Sequence, residues 1–176
     1  MLQWLCQDCS DQLFNDQAVQ WIKSTWTIVQ KQLTSHLKLA FSILRILAKR
    51  APNFPEVSRH LSTLVSSVIE SLIKYADTDL HHLGRHCLDT IEVFLQTFPG
   101  SCGPTHPLLE KFILSNILGS GPSTLTTNFA RCLSLMPRLG GGGKEGINHK
   151  SSFVTLFQRL SYTLEDTYVV FIKDKR

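Results

Sequence analysis

The sequence predicts an all-α protein, a HEAT/armadillo-like helical repeat (α-solenoid) of about seven helices. Strand signals are nearly absent: apolar and polar residues alternate over only a few positions, and no Asn-Gly or Asp-Gly hairpin turn occurs. Apolar residues instead recur every three to four positions along most of the chain, the spacing of one helix face. Three of these runs stop at a proline, at Ala51-Pro52, Phe98-Pro99 and Met136-Pro137. Four residues before each proline stand Ala48, Leu95 and Leu133; eight before, Leu44, Ile91 and Phe129; twelve before, Ala40, Cys87 and Leu125. A proline cannot continue a helix. An interval of about 40 residues that holds two helices is the period of HEAT and armadillo units.

Each helix has its own justification. A lead-in helix over 16–32 carries Trp21, Ile22, Trp26 and Val29, with Leu33 just beyond, on a wide apolar face. That face packs on the first repeat or docks a partner, since aromatic residues are enriched at interfaces. The 35–50 helix puts Leu37, Ala40, Phe41, Leu44, Leu47 and Ala48 on one stripe. The 56–76 helix does so with Leu61, Leu64, Val65, Val68, Leu72 and Ile73. Further helices are expected over 79–97, 106–118, 123–136 and 151–172. Residues 1–33 thus form a lead-in segment and 34–176 the repeat domain, with a glycine-rich loop at 140–150 whose glycines hold no single conformation cheaply. A stack that opens a new pair at 151–172 leaves an apolar end uncovered, so the chain reads as part of a longer array.

Composition bounds the function. With 176 residues, 43% of them apolar, the chain has a core's worth of hydrophobic side chains and is not a disordered segment. Its 18 Lys and Arg against 14 Asp and Glu leave only +4, spread without a block, which excludes a strongly basic nucleic-acid arm. No apolar run approaches the ~20 residues that span a bilayer, and Lys38, Arg45 and Lys49 interrupt the best candidate, so no membrane association is expected. The five cysteines, the absence of a basic leader before the polar turn at Gln7-Asp8, and the lack of an Asn-x-Ser/Thr acceptor point to a reducing intracellular compartment with free thiols.

Motifs for chemistry are thin. Gly140 to Gly143 with Lys144 suggests a phosphate loop, but a helix and Pro137 precede it and Glu145 follows the lysine where a Ser or Thr belongs. Cys6 and Cys9 have metal-ligand spacing without a second close pair. His82 and His86 share a helix face near His81 and Cys87, but Cys87 belongs to the inward stripe. Glu165 and Asp166 are adjacent in sequence and so do not face one another on a helix. No nucleophile elbow is present, and Gly119-Ser120-Gly121-Pro122 reads as a turn. No enzyme activity, metal or cofactor is expected. An L-x-x-L-L receptor motif is absent, the nearest being Leu114-Ser115-Asn116-Ile117-Leu118, which reads as core.

From about 91 to 168 the chain resembles a known family. Phe98-Pro99-Gly100-Ser101-Cys102-Gly103 precedes Leu109-Glu110-Lys111-Phe112-Ile113-Leu114-Ser115; next come Leu135-Met136-Pro137-Arg138-Leu139-Gly140 and Gly146-Ile147-Asn148-His149. This is similar to the amino-terminal domain of the proline-, glutamic acid- and leucine-rich protein family, relatives of the yeast Rix-type pre-ribosomal RNA processing factors. Met136 stands where the family has leucine. The resemblance implies a non-catalytic helical scaffold of the nucleus and nucleolus. Its implied partners are a WD-repeat protein, a second helical-repeat protein and a SUMO protease, with association to the large-subunit precursor particle or chromatin. The implied role is large-subunit maturation and processing of the internal spacer RNA. A transcription-coactivator role is the alternative, and the receptor motifs and acidic, proline-rich tail tied to it are not in this sequence. Direct RNA binding is a second alternative, suggested by Arg131, Arg138, Lys144 and Lys150 around the glycine loop. The partner-contact candidates are Arg138, Lys144, Glu145, His149 and Lys150, because exposed loops often carry function.

Overall fold

The computed structural model describes residues 2–119 and 125–136. They form α1 (Leu2–Asp8), α2 (Asp11–Gln30), α3 (Leu37–Arg50), α4 (Pro55–Thr78), α5 (Leu80–Thr97), α6 (His106–Gly119) and α7 (Thr126–Leu135), with short 3-10 turns and no strand among the described residues. The helix expected at 151–172 and the glycine-rich loop lie outside the described residues.

Local chemistry sets the boundaries. The side chain of Ser10 accepts the Leu13 N–H at 3.3 Å, so α2 starts five residues before the expected position 16. The polar first turn, with Asp11, Gln12, Asn15 and Asp16 around Phe14, hides that start from a periodicity reading. Apolar periodicity does not announce α1, because seven residues are too few to show a stripe or to be stable alone. Proline at the first position of α4 fits the pre-set φ of a helix start. Asp79 caps α5 by accepting the His82 N–H at 3.2 Å.

The helices pack as pairs, α2 with α3, α4 with α5, and α6 with α7. Short connections make paired neighbours antiparallel. Across the pairs, α1, α3, α5 and α7 lie side by side in one layer, and α2, α4 and α6 form the second. This two-layer stack is the arrangement of helical-repeat proteins. The proline-terminated helices are α3, α5 and α7, all in the first layer. All of the apolar residues at one, four, eight and twelve places before the prolines are buried, the most accessible being Leu125 at 9%. Full burial of the leucine, isoleucine, phenylalanine and methionine side chains among them stabilises by roughly 1.5–3 kcal/mol each. The layers meet around Phe14, Phe41, Phe94 and Phe129, all fully buried. Gly84 of α5 leaves no room for a larger side chain: a Cβ there would lie 2.9 Å from Cδ1 of Leu125, the residue before α7, and 2.9 Å from Leu80 Cδ1.

Polar contacts close the helix ends. Tyr75 of α4 donates its O–H to the Val29 carbonyl at the end of α2. His106 Nε2 at the start of α6 donates to the Met136 carbonyl at 3.1 Å. Arg50, the last residue of α3, holds α1 in place. Its guanidinium donates to the carbonyls of Cys6 at 2.9 Å, Gln7 at 3.3 Å and Cys9 at 3.2 Å, to Cys9 Sγ at 3.3 Å, and to Asp11 Oδ1 at 2.8 Å. It also stacks 4.2 Å above the Phe14 ring. These carbonyls are the ones a helix C-terminus leaves without internal partners. Asp11 is exposed, so its ion pair adds little. No described helix is long and apolar enough to cross a membrane.

Arg50→Ala is expected to lower unfolding stability by about 2–3 kcal/mol, from lost charge-assisted bonds and ring contact, and to free α1 for proteolysis. Urea unfolding and limited proteolysis check this; unchanged stability with α1 still protected would contradict it.

Candidate functional site

The first layer presents a second repeated face, and it is polar. On α3, Lys38, Ser42, Arg45 and Lys49 stand 14, 10, 7 and 3 residues before Pro52; on α5, Arg85, Asp89, Glu92 and Gln96 stand at the same distances before Pro99. Spacings of four, three and four keep each set on one face of its helix. Stacking α3 beside α5 turns the two faces into an open groove of about 480 Å³, with Gln3 and Gln7 of α1 on one side and Arg131 of α7 on the other.

Carboxylates in the groove hold its donors in place. Asp89 accepts from Arg45 Nη1 at 3.3 Å and from Asn128 Nδ2 of α7 at 2.6 Å, tying three helices together. Glu92 accepts from Gln96 Nε2 at 3.2 Å and lies 3.8 Å from Arg131 Nη1. Gln3 Nε2 donates to Ser42 Oγ at 3.0 Å, joining α1 to α3. Arg45, Asp89 and Glu92 are each less than a third exposed at the side chain, so these pairs are screened less than surface ones. Beside the groove, burial lowers the pKa of His86, and the positive charges of Arg45, Lys38 and Arg85 lower it further, while Asp89 acts in the opposite sense.

The other sequence candidates fall elsewhere. Cys6 is buried in the α1–α3 contact, and desolvation, with Cys9 beside it, pushes its thiol up to about 11. Burial pushes Cys87, Cys102 and Cys132 up to about 12, which leaves them as protonated, unreactive core groups. Cys6 and Cys9 are not brought to the histidines of α5. His82 instead pairs with Asp79 at 2.9 Å, holding that carboxyl below its usual range. No group of three or more potential metal ligands lies together among the described residues. On α2, Ile22 and Val29 are buried and Trp21 and Trp26 half-buried, whereas Leu33 and Trp4 are exposed. Arg138, Lys144, Glu145, His149 and Lys150 lie outside the described residues. Sequence reading missed the groove although its signal, two polar sets at identical distances from successive prolines, stood in plain view beside the apolar one.

The sequence of this stack matches a known family over most of its length. A family model described as rRNA processing/ribosome biogenesis, RIX1, matches residues 1–124. The chain belongs to the RIX1 family. It is 29% identical over 162 residues to proline-, glutamic acid- and leucine-rich protein 1 of Xenopus laevis, covering 89% of this chain and 15% of that protein. It is 28% identical over 158 residues to the Mus musculus protein of the same name, covering 87% of this chain and 13% of that one. The chain therefore spans only a small part of these relatives. No solved structure matches it. The RIX1 match takes in α1 to α6, and so the Gln3, α3 and α5 sides of the groove.

In this RIX1 chain the folded state disfavours protonated His86 relative to an ordinary histidine at 6.5. The unfolded chain then binds more protons as pH falls through that value, so His86 destabilises the fold progressively on acidification. His86→Gln is expected to retain more of its thermal stability than the wild type between about pH 7.5 and about pH 5.5. Parallel melting curves at both pH values would contradict the assigned burial and charge repulsion.

Proposed function

We propose that the chain is a non-catalytic scaffold of the nucleus and nucleolus that supports large-subunit maturation and processing of the internal spacer RNA through protein contacts. Membership of a family of rRNA processing and ribosome biogenesis is the observation that carries this reading. The architecture supports it, since stacked helix pairs offer a long continuous surface that several proteins can share. The chemistry supports it too. The two carboxylates of the groove are engaged by Arg45, Asn128, Gln96 and Arg131, and four of the five thiols are held well above neutral pKa.

The partners fitting this reading are those the family resemblance implies: a WD-repeat protein, a second helical-repeat protein and a SUMO protease. In this proposal the chain is one section of a longer array, with 1–33 leading into the repeats of 34–176. The glycine-loop residues Arg138, Lys144, Glu145, His149 and Lys150 are a second contact candidate. A tagged chain purified from nuclear extract is expected to bring down large-subunit precursors and spacer-containing pre-rRNA. Recovery without them, together with a cytosolic location, would overturn the scaffold reading.

A further inference from the structure

We propose that the polar groove across α1, α3, α5 and α7 binds an extended, acidic peptide segment of a partner protein. The inference rests on the scaffold reading and names the surface and the chemistry through which it works.

Charge is the first support. Four cationic side chains line the groove against two carboxylates, and both carboxylates are already engaged by Arg45, Asn128, Gln96 and Arg131. Lys49 and Arg85 form no ion pair with any described residue, and both are exposed at the rim. Arg45 commits one Nη1 hydrogen to Asp89 at 3.3 Å and keeps the rest of its donor fork. Carboxylates on a ligand complement this excess through bidentate arginine contacts.

Amides are the second support. Gln3, Gln7, Gln96 and Asn128 reach the groove or its carboxylates from three helices. A primary amide offers a donor and an acceptor together, which matches the alternating N–H and C=O of a peptide main chain. The spacing of packed helices, about 8–10 Å between axes, suits one extended strand.

The same features disfavour nucleic acid. No aromatic side chain lines the groove, so bases have no surface to stack on. The carbonyl acceptors of the amides find few donors on a phosphate chain.

The test uses the full chain and a fluorescein-labelled peptide of alternating Glu and Ser, about eight residues or roughly 26 Å when extended. A Lys-Ser peptide of equal length and a structured RNA serve as competitors. Fluorescence anisotropy is expected to show micromolar binding of the glutamate peptide at low salt, weakened by added salt. Lys49→Glu combined with Arg85→Glu should weaken it by about tenfold or more, and Lys23→Glu on α2 should leave it unchanged. If circular dichroism shows the double reversal to be misfolded, Lys49→Gln with Arg85→Gln is expected to weaken binding about threefold.

No binding of the glutamate peptide, equal binding of the lysine peptide, or insensitivity to Lys49 and Arg85 would overturn the proposal. So would tighter binding of RNA through those same residues. If the wild-type chain still recovers pre-ribosomal material while the peptide does not bind, the groove assignment fails and the scaffold reading stands. If the peptide binds through the groove but no such material is recovered, the scaffold reading fails instead.

Discussion

The buried stripe on α3, α5 and α7 is the constraint from which the rest of the molecule follows. Residues at matched distances before Pro52, Pro99 and Pro137 face inward on each of these helices. Burying three such stripes at once fixes the rotation of each helix about its axis and places the helices side by side. α5 sits at the centre, packed on α3, α4 and α7. With their inward faces fixed, the opposite faces have no freedom left: Lys38, Ser42, Arg45 and Lys49 must stand beside Arg85, Asp89, Glu92 and Gln96. The apolar register thus creates the polar groove, and the Arg45–Asp89–Asn128 contact reports that register at the surface.

The ends of the stack are secured differently. α1 is too short to bury much area, and Arg50 compensates by reaching from the end of α3 to three carbonyls and the Phe14 ring. The arrangement couples the amino-terminal turn to the proline stop, because Arg50 immediately precedes Ala51-Pro52. One residue ends α3, caps α1 and covers an aromatic side chain of α2.

Much of this was legible in the sequence. Helix type and the positions of α3 to α7 followed from apolar spacing and from the prolines, because those signals are local and repeated. α1 and the true start of α2 were not, since a seven-residue helix has no period and Ser10 acts through a single cap. The partners of Arg50 are about 40 residues distant in sequence, and nothing local points to them. The groove was half legible: each polar set is visible on its own helix, but their meeting depends on tertiary stacking. The resemblance, drawn on residues 91–168, reached the family whose model matches 1–124. The glycine-loop candidates lie outside the described residues.

In this RIX1-family chain one layer of helices carries both the buried stripe and the polar groove. α5, packed on α3, α4 and α7, is the keystone of the stack. Native-state hydrogen exchange on the full chain tests it most directly. Buried amides of α5 should exchange only with global unfolding, later than those of α1, whose hold depends mainly on α3 and Arg50. Exchange of α5 amides through a local opening, as early as α1 and with α3 and α4 still protected, would contradict the account.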